Sequence, residues 1–463
     1  MKRKISERLA AWKARADHKP LIITGCRQIG KTYSVLEFVR ENYSSYVYLN
    51  FEMDPLSKTI FDGSLDPDTL VPRMSMFCNT SLVWGRSAII LDEIQSCAPA
   101  YSSLKHLSGC GIDVIAMGSF LGINLEDDDG SLSPLGYVEI IRMYSMDFQE
   151  FLWAMGVNED LICMIRDHIR GLKAIEGPFN KMFLDAFRTY MVVGGMPAAV
   201  KTYSETRDYP ATMSVLNVIK DVLMRDAGRY SKKAGRAKIN ACLRSIPSQI
   251  ARENKQFLYK DVEKRKGTGK RNYGNSLEWI ENAGLSYTCH NLTQPAAPLS
   301  ENIIEDQFKV FMSDTGLLAT FMDGFDPADI VLRDPYSNHG AFAENAVCAE
   351  LVRKGYTPYY YSKQDSTLEI DFVTRFKGKV ALIEVKSGEN RRSKSLNTLM
   401  AREDLDCIGI KLMETNIMKD DRGIVHLPLY APCFFEDYSV GTIPEPDIDG
   451  MNSMFERLRD RIE

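Results

Sequence analysis

The eight residues GCRQIGKT, from Gly25 to Thr32, constrain this chain more than any other segment. They stand directly between the short apolar run LIIT at 21–24 and an amphipathic stretch that begins near Lys31. The pattern G-x-x-x-x-G-K-[ST] therefore falls at a strand-to-helix turn, the only context in which it has chemical meaning. Gly25 and Gly30 let the backbone N–H groups of Cys26, Arg27, Gln28 and Ile29 turn inward onto phosphate oxygens, and the helix N-terminus adds its partial positive charge. Lys31 is expected to reach the β- and γ-phosphates, and Thr32 to offer its hydroxyl to Mg²⁺, with Tyr33 as the next residue along the nucleotide. ATP and Mg²⁺ are thus the expected ligands of residues 25–33.

The surrounding pattern suits such a turn. After LIIT come the apolar runs YVYLNF at 46–51, SAIILDEI at 87–94, IDVIAMG at 112–118 and YVEIIRM at 137–143, separated by longer amphipathic stretches. This alternation predicts a parallel sheet with covering helices, an α/β nucleotide-binding core over 1–146. The third run delivers Asp92 and Glu93 to a strand end, where such sheets keep their ligands. Asp92 is expected to hold Mg²⁺ and Glu93 to polarise an attacking water; a solvated loop start is the alternative. The next strand ends at Gly118-Ser119, and Ser119 reads equally as a γ-phosphate sensor or a simple turn.

A chain of 463 residues is long enough for several compact units. The pattern becomes helical over 147–228, broken at Gly194, Gly195 and Pro197, which predicts a helical lid. From 229 to 271 there are fourteen Lys and Arg against three acidic residues. With a net charge of -5 overall, any nucleic-acid surface must be local, and this is where it lies. Helices are expected near 236–251, 257–266 and 272–284, followed by a β-like segment: the outline of a winged helix over 229–334. Lys260, Lys264, Arg265, Lys266, Lys270 and Arg271 crowd one junction, with Tyr273 and Asn275 beyond; the run reads as a sequence-independent DNA contact or as a solvated face. No apolar run reaches membrane-span length, and the ten cysteines are dispersed without metal-site spacing. Both features point to a cytoplasmic protein with reduced thiols.

Past Pro335 the α/β pattern returns, defining a last unit over 335–463. LEIDFV, a turn at Lys377-Gly378 and ALIEVKSG place Glu384 and Lys386 on one strand face, with Asp371 on the neighbouring strand and Glu344 on the preceding helix. This is D-x(n)-E-x-K, in which Asp371 and Glu384 hold a metal ion against a phosphate and Lys386 orients water. An active nuclease, a nuclease fold retained for DNA binding, and an ordinary charged sheet edge all fit.

GCRQIGKT, LDEIQ and a strand ending in GSF resemble the AAA+ ATPases, whose added strand carries the polar sensor. RQIGKT, VVGGMPAAV at 192–200 and KVFMSDTGLL at 309–318 further resemble the bacterial and archaeal ATPases bearing the C-terminal domain of unknown function 4143. The resemblance implies a winged-helix middle, a PD-(D/E)xK-like C-terminal domain of restriction-endonuclease type, and a lid whose G-x-P element, here Gly195 and Pro197, lies near the nucleotide. It also implies a homo-oligomer, typically a hexameric ring, with an arginine supplied in trans. Where many relatives have Gly-Arg, this chain has Gly136-Tyr137, which leaves Arg142 and Arg86 as candidates. The expected function is ATP-driven, structure-selective binding and remodelling of DNA, branched DNA included; a nucleotide-gated switch that recruits a protein is the alternative.

Overall fold

The computed structural model describes residues 1–118, 134, 136–227, 233–252, 254–263, 269–332, 339–363, 368–386 and 393–436. Its first sheet contains β1 (Leu21–Thr24), β2 (Ser45–Asn50), β3 (Ser87–Asp92), β4 (Asp113–Gly118) and β5 (Glu139–Arg142). The order is β2-β3-β4-β1-β5 and every pairing is parallel. All six residues of β3 are buried, as expected of a strand covered on both faces. Ile23, Ile90, Ile115 and Met117 enter one core with Val35, Phe38 and Val39 of helix Lys31–Asn42. Ile22, Ile89, Leu91 and Val114 enter the other, with Ile60, Leu70 and Leu104. The period-2 alternation of the strands thus sorts their side chains between two layers of cover. This is the expected α/β fold, a parallel sheet with β4 inserted between β1 and β3.

The registers Thr24↔Gly118, Thr24↔Arg142 and Asn50↔Asp92 gather the carboxyl ends of the strands at one edge. Helices Phe148–Ala154, Glu159–Arg170, Gly177–Val193, Pro197–Thr206 and Tyr209–Asp226 follow. The first starts on a reciprocal cap: Asp147 accepts from the Glu150 amide at 2.9 Å, and Glu150 accepts from the Asp147 amide at 3.1 Å.

Helices Lys233–Ile250 and Lys270–Asn282 lead to the hairpin β6 (Ser286–Leu292) and β7 (Ile303–Met312). The expected helix at 257–266 is not formed in its described part, where Tyr259–Asp261 make a single 3₁₀ turn. The Phe257 amide bonds to the Phe308 carbonyl at 2.7 Å and the two rings stack, which holds this segment extended against β7 instead. Lys264, Arg265 and Lys266 lie outside the described residues.

β6 pairs in parallel with β8 (Tyr359–Ser362) through Asn291 and Tyr360. The hairpin thereby joins a sheet with β9 (Glu369–Phe376), β10 (Lys379–Lys386), β11 (Cys407–Met413), β12 (Met418–Lys419) and β13 (Val425–Pro428), in the order β12-β13-β11-β10-β9-β8-β6-β7. This sheet runs across residues 334/335, where the sequence pattern changes. Lys377 and Gly378, at φ +50° and +78°, form the two-residue turn between β9 and β10. Helix His339–Arg353 packs against β10, and one apolar cluster extends from Ile5 through the helices between residues 148 and 226 to Phe435. Among the described residues no helix is long and apolar enough to cross a membrane.

Candidate functional site

The Gly25–Thr32 loop leaves β1 through a backbone that few side chains tolerate. Gly25 has φ +151°, and a Cβ there would stand 2.2 Å from the Met143 carbonyl oxygen; Gly30 has φ +87°. Lys31 is buried, and its Nζ donates to the carbonyls of Gly25 and Cys26 at 2.9 and 2.8 Å. Burial holds its pKa below the usual lysine range. The Cys26 thiol is pushed up to about 12 by burial and stays neutral. Tyr33, one residue further, is exposed and donates to Glu37 at 3.1 Å.

Thr32 and Asp92 meet across the sheet edge, the Thr32 hydroxyl donating to Asp92 Oδ2 at 3.0 Å. The same oxygen accepts from Tyr48 at 2.8 Å and Asn50 at 3.2 Å, because Asn50 is the register partner of Asp92. A threonine hydroxyl beside a buried carboxylate is an oxygen donor set that fits Mg²⁺. Glu93 follows in a left-handed conformation at φ +53°, and its carboxylate accepts from Gln95 and lies 3.9 Å from Arg27. Arg27 ties the loop outward, donating to Asp226 at 2.9 Å and to Glu52 at 3.1 Å. Sequence reasoning placed Arg27 in the loop but did not foresee these partners, since Asp226 is far away in the chain. Ser119 lies outside the described residues.

Pro197 lies beside the loop: its Cγ is 3.7 Å from where a Gly30 Cβ would stand. Gly195 is locked between two elements, its amide donating to Asp314 at 2.8 Å and its carbonyl accepting from Met146 at 2.7 Å. Arg3 braces the loop from behind, donating to the Ile29 carbonyl at 2.8 Å and to buried Glu150 at 3.0 Å. Arg142 ends β5 on the loop's edge of the sheet, whereas Arg86 precedes β3 at the opposite end.

A buried ionic hub adjoins this loop. Arg353 donates to Glu350 at 2.8 Å, to Ser145 at 2.7 Å, to the Ser313 carbonyl at 3.0 Å and to the Tyr190 hydroxyl. Asp147, Glu350 and Cys433 bring ligand atoms within 4.8 Å of one another there. The Lys4 ammonium on Asp147 and the Arg353 guanidinium on Glu350 already balance that cluster from within the chain. Lys4 and Arg353 belong to no sequence motif, so this hub was not legible from the chain alone.

In the C-terminal sheet the expected acids do come near one another. Glu344, Asp371 and Glu384 are all buried, and Asp371 accepts from the Val385 amide at 2.8 Å while Lys386 donates to Glu384 at 2.8 Å. Burial and the Glu344 carboxylate push Asp371 up to about 7. Burial works against the Lys386 ammonium, but its bond to Glu384 outweighs burial and raises its pKa. One oxygen each of Glu344 and Glu384 is buried without a hydrogen-bond partner, a donor set that fits a divalent cation, although the three acids do not all converge within 4.8 Å. Two lysines that sequence reasoning missed attend this centre. Lys255 pairs with Glu344, and fully buried Lys309 donates to Glu369 at 2.8 Å. A lysine in the middle of the apolar strand FKVFM was the available signal for Lys309.

Of the basic cluster, Lys260, Lys270 and Arg271 are exposed, with Lys270 paired to Asp306 at 2.9 Å. Asn275 is exposed, but Tyr273 is buried in the main core and is not available as a nucleic-acid contact, because the helical period turns it inward.

The family described as AAA domain matches residues 17–152, the first sheet and its phosphate loop. A domain of unknown function, DUF8612, matches residues 184–328, and another, DUF4143, matches residues 339–430. Comparison with curated proteins gives no match. Solved structures similar to this chain include the ORC1 protein of Aeropyrum pernix in complex with DNA, at 11% identity and TM-score 0.26 over 72% of this chain and 91% of that one. Another is a STAND signal-transduction ATPase with a tetratricopeptide repeat sensor from Pyrococcus horikoshii, at 11% identity and TM-score 0.26 over 77% of this chain and 49% of that one.

Proposed function

We propose that this chain hydrolyses ATP with Mg²⁺ and uses the cycle to bind and remodel DNA, branched DNA included, with metal-dependent cleavage available at its C-terminal acid centre. The observation that carries the ATPase reading is the Thr32–Asp92 contact of 3.0 Å, with Lys31 and Glu93 immediately beside it. Thr32 and Asp92 would hold Mg²⁺, which when bound neutralises charge on the transferring phosphoryl group. Lys31 would exchange its two loop carbonyls for phosphate oxygens, a favourable trade because its buried ammonium then gains a charged partner. Glu93 would orient the attacking water and take its proton.

The DNA reading is supported by the fourteen-to-three excess of basic residues over 229–271 and by the exposure of Lys260, Lys270 and Arg271. Cleavage would use Asp371 and Glu384 as ligands, with Glu344 beside them and Lys386 orienting water. Assembly into a homo-oligomer, a hexameric ring by resemblance, belongs to this reading, with Arg142 as a candidate for the arginine supplied in trans. So does a cytoplasmic location, consistent with ten unpaired cysteines.

The Arg353 hub favours a second reading. It joins the residues after β5, the lid and the C-terminal helix, so a nucleotide that moves the lid would also shift the C-terminal domain, as in a switch that recruits a protein. ATPase rate measured with linear, forked and four-way DNA separates the two. Stimulation by DNA that is abolished in Lys31→Ala supports the motor; slow turnover indifferent to every DNA supports the switch. The same DNAs, labelled and incubated with Mg²⁺ or Mn²⁺, test cleavage: if wild type and Lys386→Ala leave all of them intact, the nuclease reading fails.

A further inference from the structure

We infer that the Lys255 ammonium stands in for a divalent cation at the acid centre of Glu344, Asp371 and Glu384, so that a metal ion loads this centre only when Lys255 leaves Glu344. The inference rests on the metal-centred reading of the C-terminal domain. Lys255 comes from outside that domain, on the connection between helix Lys233–Ile250 and the 3₁₀ turn at Tyr259. It reaches across to Glu344, whose side chain is 5% exposed, while that of Lys255 is 19% exposed.

Charge identifies its role. Glu344, Glu369, Asp371 and Glu384 face Lys255, Lys309 and Lys386. Lys309 is committed to Glu369 and Lys386 to Glu384, each at 2.8 Å. With the acids ionised, removal of Lys255 leaves buried Glu344 without the ammonium it faces. The unpartnered oxygens of Glu344 and Glu384 show where further ligation is wanted.

Lys255 is also the movable member. Lys309 is sealed in β7, but Lys255 stands on a flexible stem between two anchors, the Phe257 amide on the Phe308 carbonyl at 2.7 Å and the Arg252–Asp261 ion pair. Its head can withdraw while those anchors hold. At the Glu344 carboxylate an ammonium and a metal ion repel each other, so binding of one disfavours binding of the other.

The test is Mn²⁺ binding to the full chain without nucleotide, followed by electron paramagnetic resonance of free Mn²⁺, in wild type, Lys255→Met and Lys255→Met/Glu344→Gln. Lys255→Met should bind one Mn²⁺ tighter than wild type by about an order of magnitude or more, and the double variant should lose that gain. Equal binding by wild type and Lys255→Met overturns the stand-in role while leaving a metal centre. No binding by either overturns the metal reading itself, and the inference with it. Should Lys255→Met fail to fold, acetylation of Lys255 in wild type, read by mass spectrometry, serves instead. Mn²⁺ should raise it several-fold, and an unchanged rate overturns the inference.

Discussion

Asp314 accepts a hydrogen bond from the Gly195 amide at 2.8 Å, and the same aspartate caps the next helix by accepting from the Leu317 amide at 3.1 Å. The contact joins the turn before helix Pro197–Thr206, beside the Gly25–Thr32 loop, to the segment after β7. A Cβ at Gly195 would stand 1.9 Å from the Met146 carbonyl oxygen, which is backbone and cannot swing aside. Gly195→Ala is therefore expected to destabilise the protein by about 3 kcal/mol, read as a fall in the urea midpoint at unchanged slope. A variant as stable as wild type would mean that this turn relaxes at no cost.

The phosphate-loop geometry separates binding from turnover. Glu93→Gln keeps the shape of the site and should retain ATP binding while hydrolysis falls by about a hundredfold to ten-thousandfold. Lys31→Ala should lose binding itself, measured with a fluorescent ATP analogue.

Arg353 is buried against Glu350, Tyr190, Ser145 and the Ser313 carbonyl. Arg353→Met leaves Glu350 charged or unpaired inside the protein and should cost about 3–5 kcal/mol. The exposed pair Lys2–Glu159 offers a control, since Lys2→Ala should leave the thermal midpoint almost unchanged.

His18 bonds to Asp113 at 2.9 Å and to the Arg15 carbonyl. Burial disfavours its charged form, but these two acceptors outweigh burial and raise its pKa. A raised histidine contributes stability that is fully present below its unfolded pKa and is lost as pH rises through the folded value. Unfolding free energy of wild type relative to His18→Gln should thus be larger at pH 6 than at pH 8.5. A difference that is flat with pH would show that the imidazole does not gain charge on folding.

DNA affinity, if carried by the basic segment, should be equal across sequences and steeply salt-dependent. Changing Lys264, Arg265 and Lys266 together to Ala should flatten the logarithmic salt slope by roughly 2 to 3, measured by fluorescence anisotropy. An unaltered slope removes these residues from the interface.

Local information was enough for the first sheet and its Gly25–Thr32 loop. Glycine spacing, Lys31-Thr32 and the apolar runs act within a few residues of each other, so strand, loop and helix at 21–42 and the acids closing β3 were legible from the chain alone. The Lys377-Gly378 turn and the Glu384/Lys386 face follow from the same short-range rules. Order across the sheet and the company each acid keeps depend on contacts between residues far apart. The resemblance implied β4 between β1 and β3, but tertiary packing alone turned Tyr273 into the core, held Phe257 to β7 in place of a helix, and joined β6 to β8. It also brought Asp226 to Arg27 and Lys255 to Glu344. The physical reason is that backbone conformation is set by neighbours in sequence, whereas burial and charge pairing are set by neighbours in space.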